Sequence, residues 1–579
     1  MTGALHVRLL ATSDMHGHLS AWDYHTGREA PYGLSRVATA VARLRGEAGL
    51  TLLLDNGDTL QGSALADHAA DAGGQGHPVI LAMNHMRYDA ATLGNHEFNY
   101  GLPFLRQVLA GAAFPVVAAN ITVPEGAIAP RHVVLDRVVR GPDGRDHALR
   151  IGVIGFLPPQ VTVWDRAHLD GRLEVEGIVA AARAQIPALR AMCDLVVVLA
   201  HTGFGDGSPA PEAENAALAL AEVERIDAIV TGHTHVVFPA APHERLGGCP
   251  AVAVGARGSH LGVVDLWLDP ATKAVQRAEA RAIDMSAEMP DPELERVVAP
   301  AHEAVLDLVA RPVGVSEVPL NTFFALIAPS PAVALIADAA AAHVRALLPD
   351  EDVVLATGLP FKAGGRGGCG FYTDVPAGPL SNRHIADIYS YPNTLDVLRM
   401  TGAEVATWLE RATSIFRQIT PGVQDQDLLD PDFAAYHFDI IHGVDFAIDL
   451  ARPPMFDAAG RQIGAGRIAD LRLKGRPLSP DQCVIVATSN YRANGTGGFA
   501  PRAPFLRDVG RVQDVIRAHA AQAPVTALRP FWRFLPMPGT SVRFETAPAA
   551  LHHLAEVPHL ALTPLGVGTD GFLRLRLDL

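Results

Sequence analysis

The stretch HVRLLATSDMHGH (6–18) decides the fold. Its first seven residues read as a strand, and that strand discharges directly into Ser13-Asp14-Met15-His16. The same event recurs down the chain. The apolar run 50–54 leads to Asp55-Asn56-Gly57-Asp58, and the short run 89–94 ends in Asn95-His96-Glu97. DLVVVLAH (194–201) ends at His201, and AIVTGH (228–233) opens into His233-Thr234-His235. FPVVAAN (114–120) and LRIGVIGF (149–156) are further strands. Between them, residues 34–45, 77–86, 101–109, 178–191 and 212–223 have helical periodicity. Near-continuous apolar strands bounded by helices predict sheets covered on both faces.

Working outward, 251–282 alternates like exposed strands, and a mixed-charge helix over 290–309 closes a first domain at 310. Residues 311–330 read as a linker or hinge. A second domain, 331–579, starts with an alanine-rich helix (331–347) and carries glycine-rich loops at 363–370 and a helix at 401–413. An extended, proline-rich region runs over 415–460, with strands at 466–474 and 482–488. Residues 530–579 read as an extension of short strands.

At 579 residues the chain is about four times a ~150-residue domain, so two or more domains are expected. Hydrophobic residues are 49% and charged residues 19%, which excludes a disordered chain. Lys+Arg 47 against Asp+Glu 62 gives −15, which argues against a nucleic-acid scaffold needing a positive face. No continuous apolar span is long enough to cross a membrane. The four cysteines, Cys193, Cys249, Cys369 and Cys483, stand singly and predict packing or lone surface thiols. Residues 1–19 show no cationic region, long apolar core and cleavage site in series, which predicts either a cytoplasmic protein, favoured by the initial Met, or a chain whose export signal is missing from this sequence.

In open α/β folds, ligands bind at the carboxyl ends of strands, and five such ends here carry Asp, Asn or His. Carboxylates neutralise hard divalent cations, imidazole suits Mn, Zn, Co or Fe, and an amide oxygen adds a neutral ligand. Asp14 and His16 are two residues apart, as are His233 and His235, so each pair can share one side of an extended chain. Asp14, His16, Asp58, Asn95, His201, His233 and His235 together have the number and mix of donors for a two-metal site ~3.5–4 Å wide. His96 adjoins Asn95 but diverges from it. It is placed to face a substrate oxygen, as transition-state stabiliser or proton donor, with Glu97 and Asn99 to orient it.

In this order, DxH, GD, GNHE, a later His and GHTH resemble the calcineurin-like metallophosphoesterases. PFKAGGRGGCGFYTDV (360–375), IYSYPNTLDVLRMTGAEVATWLE (388–410), YHFDIIHGVDFAID (436–449) and SNYRANGTGGFA (489–500) extend the resemblance to the bacterial 5′-nucleotidase family. YPNTL and FDIIHGVDF point to its 2′,3′-cyclic-nucleotide 2′-phosphodiesterase/3′-nucleotidase branch. Asn99 stands where the 5′-nucleotidase branch commonly carries Asp, so the resemblance brings no His–Asp dyad.

The resemblance implies an α/β fold: a four-layer metallophosphoesterase sandwich, two mixed sheets flanked by helices, plus an α+β 5′-nucleotidase-type domain. It implies two divalent metals, with Asp58 shared between them. His96 and Asn95 would stabilise charge added at phosphorus. The activity implied is hydrolysis of nucleoside 2′,3′-cyclic phosphates to 3′-nucleotides and of these to nucleosides. The alternative is a 5′-nucleotidase, UDP-sugar hydrolase or other organic phosphomonoesterase. The partner is a small nucleotide held between domains, with no stable nucleic-acid complex and no membrane, and the chain is a monomer or weak dimer. Relatives of this branch are usually periplasmic. In the second domain, Tyr436 and Tyr491 are candidates to sandwich a base, at ~1–3 kcal/mol per base. Arg366, between glycines, can reach a phosphate or shape the domain interface. Asn393 contacts base or ribose, or is a turn asparagine. The loop Asn494–Gly498 is expected to close over the nucleoside.

Overall fold

The structure is a computed structural model that describes residues 3–241, 244–499 and 502–579. Met1 and Thr2 of the N-terminal stretch, and Ala500 of the 489–500 segment, lie outside these residues. The chain divides into two compact units, Met1–Val309 and Ala310–Leu579.

In the first unit, strand Leu5–Thr12 pairs in parallel with Leu50–Asp55, which pairs in turn with Ala90–Thr92, and Ala90–Thr92 pairs with Val116–Val117. His260–Leu268 joins antiparallel to Leu5–Thr12, and Val275–Asp284, antiparallel to His260–Leu268, completes this six-stranded sheet. A second six-stranded sheet has Asp146–Phe156, Leu195–Ala200, Ala228–Thr231 and Ala251–Val254 in parallel, with His132–Arg140 and Val237–Phe238 antiparallel at its edges. Alternate residues of both sheets, among them Val7, Leu9, Leu52, Val153, Val197 and Val230, form one core between them. Helices Leu34–Arg45, Pro78–Met86, Leu102–Leu109 and Pro292–Ala310 cover the outer face of the first sheet. Ile178–Arg190 and Ala217–Ala221 cover the second. This is the expected four-layer sandwich of helices, sheet, sheet and helices.

Register positions the loops. Thr12 pairs with Asp55, and Ala200 pairs with both Phe156 and Thr231. The residues that follow Thr12, Asp55, Ala200 and Thr231 therefore leave their sheets at matched heights.

Two expectations need correction here. Residues 251–268 are not exposed strands: Ala251–Val254 is wholly buried and His260–Leu268 nearly so, because both lie between layers, and only Val275–Asp284 is an open edge. The helix expected over 212–223 is confined to Ala217–Ala221. The loop after His201 draws off its first turns, since the Thr202 hydroxyl donates to Glu214 O at 2.6 Å and Asn215 Oδ1 accepts from Gly203 N at 3.1 Å.

In the second unit, Leu395–Thr401, Cys483–Ser489, Val354–Gly358 and Ile440–His442 form a four-stranded sheet. Pro331–Leu347 and Val512–Ala520 pack on one side of it and Gly402–Thr413 on the other. Thr401 and Glu404 cap that last helix reciprocally. The stretch 311–330 is built into this unit: Pro312–Ser316 pairs with Gly378–Ser381, and Leu320–Asn321 with Asp374–Val375. Residues 530–579 are likewise no appendage. Trp532–Phe534 adds to Val444–Ile448, and Ser541–Thr546, Ala561–Val567 and Leu573–Asp578 form a sheet with Gln426–Asp427. Trp532, Phe544 and Leu575 join the same core as Phe416 and Phe438.

Phe544→Ala is therefore expected to destabilise the protein by about 3–5 kcal/mol in denaturant unfolding. A loss near zero would show that the C-terminal sheet is not part of this core.

Candidate metal centre

The loops that leave the matched strand ends are laced together through their backbones. Asp14 N–H donates to Gly57 O, His16 N–H to Asp58 O and Gly17 N–H to Thr59 O, each at 2.9 Å. The lacing requires unusual backbone. Thirteen described non-glycine residues have positive φ, and five of them are Asp14 (53°), His16 (49°), Asp58 (56°), His233 (70°) and His235 (57°). Each such residue costs about 1–3 kcal/mol and persists only where its surroundings over-determine it. Glycine serves close approach here. A Cβ on Gly94 would lie 2.2 Å from Asp58 Oδ1, and one on Gly232 would lie 2.6 Å from Asp14 Oδ2.

Two clusters of donor atoms result, Asp14–His16–His235 and Asp58–His201–His233. Both carboxylates are buried, and His201 Nε2 lies 2.9 Å from Asp58 Oδ2 and 3.8 Å from Asp14 Oδ1. Asn95 joins the second cluster with Oδ1 2.9 Å from His233 Nδ1.

The hydrogen bonds select which imidazole nitrogens face inward. His16 Nδ1 donates to Gln61 O at 2.9 Å, leaving Nε2 toward His235 Nε2 at 3.0 Å. His201 Nδ1 donates to Asn56 O at 2.8 Å, again leaving Nε2. His233 Nε2 donates to Glu214 Oε1 at 2.9 Å, leaving Nδ1.

Electrostatics point the same way. Burial, then the neighbouring His235 and His96, hold His16 down at about 3, so it stays a neutral ligand-type imidazole. For His201, burial disfavours the cation, but Asp58 and Asp14 outweigh it and push the group up to about 10. Burial would raise both carboxyls, yet the histidines, His201 foremost, hold Asp14 below and Asp58 well below the usual range. Two buried carboxylates that draw a proton this strongly call for positive charge, and Asn95 Oδ1 and His233 Nδ1 are two lone-pair atoms 2.9 Å apart. The donor set fits two divalent cations.

His96 borders the centre. Its ring stands edge-on to His16 at 5.3 Å, Nε2 lies 4.0 Å from Asp58 Oδ2, and Nδ1 lies 2.7 Å from Asn99 Oδ1. Asn99 contacts His96 as expected, but Glu97 does not orient it. The Glu97 carboxylate accepts from the N–H groups of Asp58, Thr59, Leu60 and Gly94 and fixes the loop that carries Asp58. Burial, then Asp58, raises its pKa. Glu214, Trp164, which stacks on His233 at 5.6 Å, and Asp165, behind Asn99, escape the sequence reading because none follows a strand end. Burial pushes Asp165 up to about 6, against the opposing bond from Asn99.

The nucleotide-contact candidates lie in the second unit. Tyr436 is exposed in the turn Ala435–His437, and Tyr491 is half-buried in Asn490–Ala493. Buried Arg492 links them, donating to Tyr436 O at 2.9 Å with its guanidinium carbon 5.6 Å from the Tyr491 ring. Arg366 is exposed, and its charge is one of those that hold His437 low after burial, Arg492 and Arg411. Asn393 Nδ2 donates to Tyr389 Oη at 3.0 Å. The loop Asn494–Gly498 is pinned, since Arg492 donates to Thr496 O at 2.7 Å and Arg411 to Gly497 O at 2.6 Å.

Residues 7–237 match the calcineurin-like phosphoesterase family, and residues 312–502 match the 5′-nucleotidase C-terminal domain. The chain belongs to the calcineurin-like metallophosphoesterases that carry a 5′-nucleotidase C-terminal domain. Over 629 residues it is 34% identical to the 2′,3′-cyclic-nucleotide 2′-phosphodiesterase/3′-nucleotidase of Haemophilus influenzae, covering 99% of this chain and 95% of that one. It is 37% identical over 528 residues to the trifunctional nucleotide phosphoesterase protein YfkN of Bacillus subtilis. That match covers 86% of this chain, which spans only 36% of that longer protein. The crystal structure of a 5′-nucleotidase precursor from Thermus thermophilus superposes with a TM-score of 0.64 at 21% identity, over 92% of this chain and all of that one, and so shares the fold.

Gly94→Ala is expected to displace the Asp58 carboxylate and lower metal affinity by at least about tenfold with the fold retained. Metal titration followed by thermal unfolding reads this. Unchanged affinity would mean that the close approach is incidental.

Proposed function

We propose that the chain is a dimetal-dependent phosphoesterase that opens nucleoside 2′,3′-cyclic phosphates to 3′-nucleotides and then hydrolyses these to nucleoside and phosphate. The observation that carries the chemistry is the pair of donor clusters joined by two buried carboxylates. Relatives of that name, matched over nearly their full lengths, support the substrate class. Asp14, His16 and His235 would hold one cation, and His201, His233 and Asn95 the other, with Asp58 as the shared ligand. The mixed N/O donors suit Mn, Zn, Co or Fe. When bound, the cations lower the pKa of water and polarise the phosphoryl oxygens.

The chain's own residues do the rest. As a water oxygen bonds to phosphorus and the P–O2′ bond of the cyclic ester breaks, His96 gives its proton to O2′, and the proton the water releases restores it. In the second reaction P–O3′ breaks and O3′ receives the proton. The Asn95 amide and His96 balance charge added at phosphorus. Tyr436 and Tyr491 receive the base, Arg366 reaches the phosphate, and Asn393 contacts base or ribose. The Arg492 and Arg411 clamps keep 494–498 in place beside Tyr491 instead of leaving it free to close. The enzyme acts on a free nucleotide as a monomer or weak dimer, and its charge of −15 suits it poorly to long nucleic acids.

Metal-supplemented hydrolysis of 2′,3′-cyclic AMP, 3′-AMP and 5′-AMP tests the reading. The first two are expected to be preferred. Asp58→Asn is expected to abolish turnover, and His96→Ala to lower it by about 10²–10⁴-fold with folding retained. Preference for 5′-AMP would assign a 5′-nucleotidase instead, and full activity after exhaustive chelation would remove the metal chemistry.

A further inference from the structure

We propose that Asp165 is a positioning residue for His96, acting through Asn99; this deepens the reading of His96 as proton donor and rests on it. The chain of contacts is continuous. His96 Nδ1 lies 2.7 Å from Asn99 Oδ1, and Asn99 Nδ2 lies 2.9 and 3.1 Å from the two oxygens of Asp165.

Donor and acceptor rules then fix every orientation. An ionised carboxylate only accepts, so Asn99 must turn its NH2 toward Asp165. Its carbonyl oxygen therefore faces His96, and a carbonyl also only accepts. Nδ1 must carry a proton that stays with Asn99, so the proton His96 gives to the leaving oxygen is a second one, on Nε2, the nitrogen on the side of Asp58 Oδ2. An asparagine by itself could present either end of its amide to the ring. The carboxylate behind it removes that choice, so a group without charge orients the imidazole as firmly as a directly bonded carboxylate would.

Three features of the fold agree. His96–Phe98 is a single tight turn, so His96 and Asn99, three residues apart, face the same way. Asp165 stands immediately before the helical turn Arg166–Leu169, where an aspartate ordinarily accepts a helix N–H, yet its side chain makes no such bond. Its two side-chain hydrogen bonds go to Asn99 instead. The neighbouring Trp164 stacks on His233, which holds this segment against the same centre.

The test uses two monoesters with different leaving groups. The nucleoside of 3′-AMP needs a proton to depart, whereas the phenolate of p-nitrophenyl phosphate does not. Asp165→Asn is expected to lower kcat on 3′-AMP by about 10- to 100-fold, with KM changed less than about threefold. On p-nitrophenyl phosphate kcat is expected to fall by less than about threefold. Asn99→Asp sets a half-buried carboxylate against buried Asp165 and is expected to be slow as well. The exchange N99D/D165N restores one amide and one carboxylate in reversed order, and its rate on 3′-AMP is expected to recover to within about tenfold of the unmodified enzyme. Equal slowing of both substrates by Asp165→Asn, or an exchange variant no faster than the slower single variant, would overturn the proposal. Should Asp165→Asn fail to fold, the exchange variant decides alone. His96→Ala run on the same pair separates the two layers. If it shows no dependence on the leaving group, the proton-donor reading falls and the proposal falls with it. If it shows that dependence and Asp165→Asn does not, only the proposal falls.

Discussion

The structure turns on two carboxylates, Asp14 and Asp58, buried side by side with histidines for partners. Removing a carboxylate from water is costly unless positive charge and hydrogen bonds meet it. Here the pair outweighs burial and pushes the nearest imidazole, His201, up to about 10, so the site favours positive charge. A single proton answers that demand only in part. Two divalent cations answer it fully, and they give the remaining donors, neutral imidazoles and an amide oxygen, lone-pair partners.

Most of the unusual local structure follows from holding that pair. Five ligand candidates sit in left-handed backbone, three of them, Asp14, His16 and Asp58, where the loops of two adjacent strands are laced together. The glycines before Asn95 and His233 are needed because a carboxylate oxygen stands too close to where each one's Cβ would lie. Glu97, buried and acceptor-only, gathers four backbone N–H groups around the loop that bears Asp58. Gln61 O, Asn56 O and Glu214 each take the outward N–H of a histidine and turn its other nitrogen inward. Sheet register, loop conformation and imidazole tautomer thus serve one arrangement of charge.

The sequence makes the centre legible because each donor directly follows an apolar strand, and strands of a parallel sheet end at a common edge. Residues that act from elsewhere are not legible. Asp165 and Glu214 lie in irregular segments whose path depends on tertiary contacts, and Glu97 serves the Asp58 loop because a tight turn directs it away from its neighbour His96. Residues 251–268 look half-exposed since alanine, glycine and histidine interrupt the apolar pattern, yet both of their faces are covered. The C-terminal strands read as an extension because one partner, Gln426–Asp427, lies more than a hundred residues earlier and is only two residues long. Pairing of that kind leaves no local signal.

Anomalous diffraction from crystals equilibrated with Mn²⁺ tests the central claim most directly. The account predicts two strong peaks about 3.5–4 Å apart, one beside Asp14, His16 and His235, the other beside His201, His233 and Asn95, with Asp58 between them. A single peak, or two peaks that leave Asp58 uncoordinated, would contradict it.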